Sequence, residues 1–489
     1  MHKYILFLII ACTLGSTGLK AQEVLTLNKA LEIAFQHSPA LIQSQLGLQQ
    51  SELNLKAQQA SLKSQFALDV NPFTYSRLNQ YDSYNSKWYD SKTMSSSASF
   101  GIIQPIKWTD GTLSLVNDLG WQEAKNQSSG GSSTAFTHDI SLRLLQPLFT
   151  YNRTKMQLKE LELRFENARL SYAMQQLSIE KNVTDNFYTV YQKQKELSIA
   201  REEYANQKQN YEVIKNKVEA GLIAREELYQ AEVNLATSES SVYSQEISYE
   251  NIKDNFKLLL GISLDEDIMV LPDIEIVSVN VNTHDAVKYG LDQRMELRQK
   301  QITLEQDVFS IIRAKAESEF KGEISARVGL GFLGNKVGNM YDNPTDNEQV
   351  GVSLTIPIFD WGAKKARVES SKLAMESDEI SMTEQKKEIV INIRQICRNL
   401  PVLVNQINIK KKSVENAERT YDINMEKYRN GNLSGMELQQ YQTQLTNAKQ
   451  AYTNAIIDYK IEILNLKIQT LWDFERNASY LPVEVMKMR

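Results

Sequence analysis

Val350-Gly351-Val352-Ser353-Leu354-Thr355-Ile356-Pro357-Ile358-Phe359-Asp360-Trp361-Gly362 changes its period in mid-course. Val350, Val352, Leu354, Ile356 and Ile358 alternate with Gly351, Ser353, Thr355 and Pro357, the pattern of a strand with one apolar face. From Gly362 to about Arg429 the pattern is helical, and Pro401 is expected to kink that helix. The strand run is about nine residues, the length at which a tilted strand crosses a bilayer. Upstream, Ile324, Ala326, Val328, Leu330 and Phe332 alternate with Ser325, Arg327, Gly329 and Gly331, which predicts a second strand. The polar stretch Gly334–Glu348 between the two reads as a loop.

The passage has a counterpart 210 residues earlier. Pro147, Phe149, Tyr211, Lys217, Gly221, Glu227, Leu228, Leu235 and Tyr249 correspond to Pro357, Phe359, Tyr421, Lys427, Gly431, Glu437, Leu438, Leu445 and Tyr459. A unit of this size is a duplicated domain half rather than a solenoid repeat. A second offset, of 256 residues, relates Ala30, Leu31 and Leu41 to Ala286, Val287 and Leu297. The first half therefore carries about 46 extra residues between positions 41 and 147. Phe66, Leu68 and Val70, then Ile140, Leu142 and Leu144, alternate with small or polar neighbours. Between them, Tyr75 to Ser97 reads as an exposed loop, and Ala98–Ile106 and Thr112–Trp121 as an additional hairpin turning at Thr109-Asp110-Gly111.

The remainder reads as helix. Thr26 to about Ser64 is helical with a kink at Pro39. Arg153 to Val218 contains neither Gly nor Pro, and at about 1.5 Å per residue it would be roughly 95 Å long. Such a helix needs a bundle or coiled-coil partner along its length. Gly221 breaks it before a helix from Glu226 to about Leu260, and Gly431 makes the equivalent break before Met436 to about Trp472. The expected organisation is a signal peptide over 1–21, a first structural repeat over 22–281 with strands and loops within 66–149, a second repeat over 282–475 with strands within 324–358, and a tail over 476–489.

Composition narrows the function. The chain has 489 residues, a formal charge of −5 and a mean hydropathy of −0.41, unlike a helical membrane protein. Its one greasy stretch, Tyr4–Leu14, follows Lys3 and precedes Gly15-Ser16-Thr17-Gly18, the layout of a secretory leader cleaved after Ala21. Ile9-Ile10-Ala11-Cys12 offers an alternative in which Cys12 is lipidated. An acidic balance without a basic run argues against nucleic acid. Beyond the leader only Cys397 remains, so no intrachain disulfide forms, and it reads as a helix core residue. His2, His37, His138 and His284 lack ligand spacing, so no metal or cofactor is expected. Gly329-Leu330-Gly331-Phe332-Leu333-Gly334 matches a dinucleotide fingerprint but no helix begins there. No phosphate-binding loop, nucleophile elbow or Cys/His pair appears, so no enzyme is read here.

Each alternating run alone would suit a soluble sandwich. Together with a leader and very long helices they point to a membrane barrel. Four to six strands cannot close a barrel, and open edges are forbidden in lipid, so the chain is expected to oligomerise around a shared one.

This arrangement resembles the TolC family of bacterial outer-membrane efflux proteins over essentially the whole mature chain. Leu25-Thr26-Leu27-Asn28-Lys29-Ala30-Leu31 through Ser38-Pro39-Ala40-Leu41 looks like the family's opening helix, and Arg294-Met295-Glu296-Leu297 like its counterpart. Val352–Gly362 is close to the strand-to-helix signature, and Ala220–Ala224 with Tyr428–Gly431 completes the set. The resemblance implies a mixed fold: a membrane β-barrel plus a long α-helical coiled-coil tunnel, built by a homotrimer with about four, or with the extra hairpin six, strands per chain. It implies an outer-membrane exit duct with helices in the periplasm, passively serving an inner-membrane pump and a periplasmic adaptor. A type I protein secretion duct on the same fold, or a secreted coiled-coil adhesin, are the alternatives.

The resemblance also assigns residues. Gly221, Leu222, Ile223, Ala224 and Gly431, Asn432, Leu433, Ser434 match the adaptor-docking tips. Glu437 and Gln440 match acidic rings at the periplasmic constriction, only the first being acidic here. Tyr428 and Glu227 match residues that hold the gate shut, while the basic partner of some members falls on Leu433, so fewer polar links are expected.

Overall fold

The computed structural model describes residues 23–84, 86–126, 131–317 and 319–482. The expected leader over 1–21 and Cys12 lie outside the described residues, as does the end of the tail beyond residue 482. The chain divides into two compact units, one from residues up to Leu46, Arg169–Arg298 and Thr383 onward, the other from Gly47–Ala168 and Gln299–Met382.

In chain order the elements are β1 (Glu23–Leu25), α1 (Leu27–His37), α2 (Pro39–Ser61), β2 (Gln65–Asp82), β3 (Lys87–Ile106), β4 (Gly111–Asn126) and β5 (Gly131–Leu148). Then come α3 (Arg153–Glu219), α4 (Arg225–Leu260), β6 (Ile268–Val270), α5 (Thr283–Gln293), α6 (Met295–Glu317), β7 (Lys321–Gly334) and β8 (Thr345–Thr355). The chain continues through α7 (Ala363–Arg429), α8 (Gly435–Thr470), β9 (Trp472–Asp473) and β10 (Ala478–Ser479). The duplication read from the sequence reappears in the element lengths. α3 and α7 each have 67 residues, and α4 and α8 each have 36. α1 and α5 each have 11, and α2 and α6 each have 23.

One helical expectation needs correction. Thr26–Ser64 is not one kinked helix: it breaks at Ser38, whose extended backbone (φ −61°, ψ 121°) is what the residue before a proline favours. Pro401 lies inside α7, which runs as a single element.

The helical unit keeps its core between hairpin partners. Val183, Phe187, Phe256 and Leu260 pack with the parallel pair β1–β6 beneath Ala30 and Ala34 of α1. Ile389 and Ile393 of α7 close on Ala286 of α5, and Tyr459, Ile463 and Leu466 of α8 pack against Ile396 and Leu400. Cys397 is half-buried against both of these clusters, as expected of a helix core residue. Other apolar side chains have no cover in this chain: Val233, Ile247 and Leu258 of α4 and Ile391, Val402, Ile409 and Ile423 of α7 are more than half exposed. Their separations of seven, eleven and fourteen residues are near whole numbers of helical turns, so each set forms a stripe on one side of its helix.

The second unit is built on one six-stranded antiparallel sheet, in the order β2-β3-β4-β5-β7-β8, with β2 and β8 as unpaired edges. Cross-strand partners share a face, and the two faces differ in kind. Phe66, Ile102, Leu115, Leu142 and Val328 form one row across five strands, and Leu113, Leu144, Ala326 and Val350 another on the same face. The opposite face carries the row Asp69, Ser99, Asp118, Asp139 and Gly331. There Ser99 donates to Asp118, Arg143 lies 3.7 Å from the same carboxylate, and Arg327 donates to Asp139 at 3.1 Å. An apolar face left exposed and a polar face internally bonded is the reverse of a soluble sheet and the pattern of a strand set between lipid and water.

The additional hairpin forms as read, with Ile106 opposite Gly111. Its turn braces the start of α3: Asp110 accepts from the Thr154 amide at 2.9 Å and from Arg153 at 3.0 Å. Three boundaries differ from the sequence reading. Tyr75–Ser97 is no loop but the distal half of a long β2–β3 ribbon, in which β2 runs to Asp82 and β3 starts at Lys87. Arg77 bonded to Asp90 and the Tyr81 and Trp88 rings 5.3 Å apart hold it together. The connection between β7 and β8 is shorter than Gly334–Glu348, since β8 begins at Thr345. β8 also ends at Thr355 rather than Ile358, because Pro357 has no N–H to give the ladder. Asp360 then accepts from the Gly362 amide at 3.0 Å and the Lys364 amide at 2.8 Å, starting α7. Gly329–Gly334 lies wholly within β7, where a Cβ on Gly329 would come 2.6 Å from the Ile140 carbonyl oxygen; the glycines serve strand packing.

Candidate functional site: the paired helical turns

The two turns that end α3 and α7 have the same construction. Gly221 has φ 70° and Gly431 φ 79°, values glycine adopts without strain. Leu222 donates to the Lys217 carbonyl at 2.9 Å, and Asn432 donates to the Lys427 carbonyl at 2.8 Å. The Gly221 and Gly431 amides donate to Val218 and Tyr428, so the last carbonyls of both helices are satisfied in Schellman fashion. Ile223 and Leu433, at equivalent positions, tuck against a cluster of Ile214, Tyr421, Tyr428, Leu438 and Leu445. Leu222 and Met436 remain exposed, at 73% and 79%.

The turns then diverge at one residue. Ser434 opens α8 with a reciprocal cap: its Oγ accepts from the Glu437 amide at 3.2 Å, and its own amide and Oγ donate to Glu437 Oε2 at 3.0 and 2.8 Å. Those bonds hold the Glu437 carboxyl below the usual glutamate range. At the equivalent place Ala224 opens α4 without a side-chain cap. Glu227, freed from capping, turns towards α8. A Cβ on Gly435 would lie 3.2 Å from Glu227 Oε2 and 3.9 Å from the Tyr428 ring, so the missing side chain of Gly435 makes the room.

Tyr428 and Glu227 are thus brought together beside Gly435. Tyr428 is buried, and burial together with the Glu227 carboxylate pushes its hydroxyl up to about 12. A cation also reaches this spot. Lys217 Nζ donates to the Tyr428 carbonyl at 3.1 Å and sits 5.3 Å from the centre of its ring. Leu433 cannot donate, but Lys217 supplies a basic group from α3. Lys217 was visible in the sequence as one of the duplicated positions, yet nothing there signalled contact with a residue 211 places away. Glu437 and Gln440 are exposed on α8 and do not join this cluster.

Behind the turns the packing turns polar. Gln207 and Gln442 are buried, Gln207 donating to Gln439 and Asn206 to Gln442 at 3.4 Å. A cavity of about 20 Å³ lies among Gln207, Asn210, Glu227, Tyr428, Gly435 and Gln442, room for one water.

An open sheet with an apolar face left exposed, joined to duplicated helical hairpins that end in matched turns, defines a class of protein: an outer-membrane channel. No helix among the described residues is long and apolar enough to cross a membrane. The outer membrane efflux protein family profile matches residues 112–261 and 290–467, and the chain belongs to that family. Nodulation protein T of Rhizobium leguminosarum bv. trifolii is 22% identical over 383 residues, covering 76% of this chain and 79% of the relative. Outer membrane protein TolC of Escherichia coli is 25% identical over 153 residues, 30% of this chain and 31% of TolC. Among solved structures, the Campylobacter jejuni CmeC outer membrane channel aligns with a TM-score of 0.70 and 16% identity, over 94% of this chain and 88% of CmeC. VceC of Vibrio cholerae aligns at 0.65 and 14% identity, over 93% and 96%. The chain is an outer-membrane efflux channel protein with its helices in the periplasm, and not an enzyme.

Proposed function

We propose that three copies of this chain share one barrel and form the exit duct of a tripartite efflux system, passively conducting substrates that an inner-membrane pump delivers through a periplasmic adaptor. The observation that carries this reading is the open sheet. β2 and β8 each present a row of unpaired backbone groups, and hydrocarbon cannot satisfy them. Pairing β8 of one copy with β2 of the next removes every edge. Three copies of six strands make eighteen, a size that leaves an aqueous lumen lined by the Asp118, Asp139, Arg143 and Arg327 face. The uncovered stripes on α4 and α7 supply the helix-to-helix contacts of the same assembly.

At the turns, Gly221, Leu222, Ile223 and Ala224, with Gly431, Asn432, Leu433 and Ser434, form the adaptor-docking tips, with exposed Leu222 and Met436 as apolar contacts. The gate is read in two parts. Tyr428, Glu227 and Lys217 hold the turns against each other. Three Glu437 carboxylates around the shared axis make a ring that favours cations, and Gln440 leaves the next ring neutral. Glu437 uses Oε2 for its cap, so Oε1 is the oxygen turned to ions.

The test is single-channel recording in planar bilayers with a multivalent cation on the periplasmic side. The parent conducts and is blocked by the cation, and Glu437→Gln relieves that block while leaving the open conductance nearly unchanged. Equal block of both proteins would remove Glu437 from the constriction.

A further inference from the structure

Beyond the apolar band of the sheet, three cations stand in direct register on three neighbouring strands. Arg77 of β2 faces Lys92 of β3, Lys92 faces Lys125 of β4, and Ser132 of β5 continues the row. The row lies on the face that carries Leu68 and Phe100 lower down, the lipid-facing side. Like charges directly opposed in a ladder destabilise it, so the row needs an anion. Two carboxylates supply part of it. Asp90 lies 3.0 Å from Arg77 and 3.7 Å from Lys92, and Glu123 lies 3.1 Å from Lys125. They are recessed: Asp90 and Glu123 side chains are 20% and 24% exposed, against 57%, 48% and 57% for Arg77, Lys92 and Lys125. What the row presents outward is therefore cationic.

Its height places it against headgroups. Ten residues of β3 separate Ile102 from Lys92. At about 3.4 Å each and a tilt near 40°, that is about 25 Å of vertical rise, the thickness of the apolar band of a membrane barrel. Trp121, paired with Phe136, lies four residues below Lys125 on the same strand and marks the aromatic level beneath the row. This end of the sheet is opposite the strand ends that lead into the helices, so it faces the outer leaflet. The strands set Arg77 and Lys125 about 10 Å apart, wide enough for two phosphates on one headgroup.

We propose that Arg77, Lys92 and Lys125 form a docking site for the phosphate-bearing headgroup of an outer-leaflet glycolipid. The site rests on the reading of the apolar face as the lipid side of a shared barrel. Each cation against an anionic lipid surface contributes about fivefold, so the three together contribute roughly a hundredfold.

Native mass spectrometry of the detergent-purified assembly tests this, with bisphosphorylated lipid A and its dephosphorylated form as probes. The parent is expected to retain the phosphorylated probe selectively, the variant R77Q/K92Q/K125Q to retain roughly a hundredfold less, and D90N to retain more. Equal retention of the two probes by the parent, or equal retention by parent and triple variant, overturns the site. Displacement of the lipid by equimolar inorganic phosphate would identify a simple anion site and overturn the headgroup assignment. Should the triple variant not assemble, the parent alone decides, since retention that does not fall with added salt excludes the cation row. An assembly that conducts normally yet ignores the phosphates overturns this site and leaves the duct reading intact.

Discussion

Ala224 and Ser434 hold equivalent places in the duplicated turns, and the difference of one hydroxyl sends the glutamate three residues later in two directions. Glu437 folds back onto its own helix start, while Glu227 leans across to Gly435 and Tyr428. Ala224→Ser should recapture Glu227 as a cap and draw its charge away from Tyr428. The Tyr428 hydroxyl, now pushed up to about 12, then titrates lower, which difference absorbance of the phenolate would detect. An unchanged titration would mean Glu227 is held by something other than the missing cap. For Glu437 the sign runs the other way. Its pKa is lowered on folding, so the cap is intact above the ordinary value of 4.5 and is lost as pH falls through the lowered one. Ser434→Ala removes the bonds that lower it, and carboxylate infrared bands of labelled glutamate should show Glu437 titrating nearer the ordinary value. The Ser434-x-x-Glu437 spacing is a capping signature legible in the sequence. The contact of Lys217 with Tyr428 was not, because it depends on how two hairpins pack.

At the scale of elements, the turns and the long helices followed directly from the positions of glycine and proline. Gly221 and Gly431 mark both tips, and the strand-to-helix corner at Asp360-Trp361-Gly362 lies where the period changes. A Cβ at Gly221 or Gly431 meets nothing within 4 Å, so an alanine there is penalised only through the backbone. Gly221→Ala and Gly431→Ala should each destabilise by about 1 kcal/mol, seen as a lower denaturation midpoint with unchanged folded spectra. No shift at either site would mean the turn relaxes out of the left-handed region. The ribbon Tyr75–Met94 escaped the sequence reading for a physical reason. Outside the bilayer neither face of a strand must be apolar, so the alternation that betrays Phe66–Val70 is absent beyond it. What holds that part is cross-strand pairing of Arg77 with Asp90 and Tyr81 with Trp88, which only the register reveals.

For the whole molecule, duplication was the most legible property, because paired positions keep one offset over a hundred residues and the element lengths repeat. Less legible was the extent of the sheet, whose six strands join first-half and second-half segments through β5 and β7. The proposed completion by other copies rests on the chemistry of the two edges and the uncovered helical stripes. That is the central claim, and the native mass of the protein extracted from isolated outer membranes in mild detergent tests it most directly. A stable assembly of three chains is the expected result. A monomer, or recovery in the soluble fraction without detergent, would contradict it.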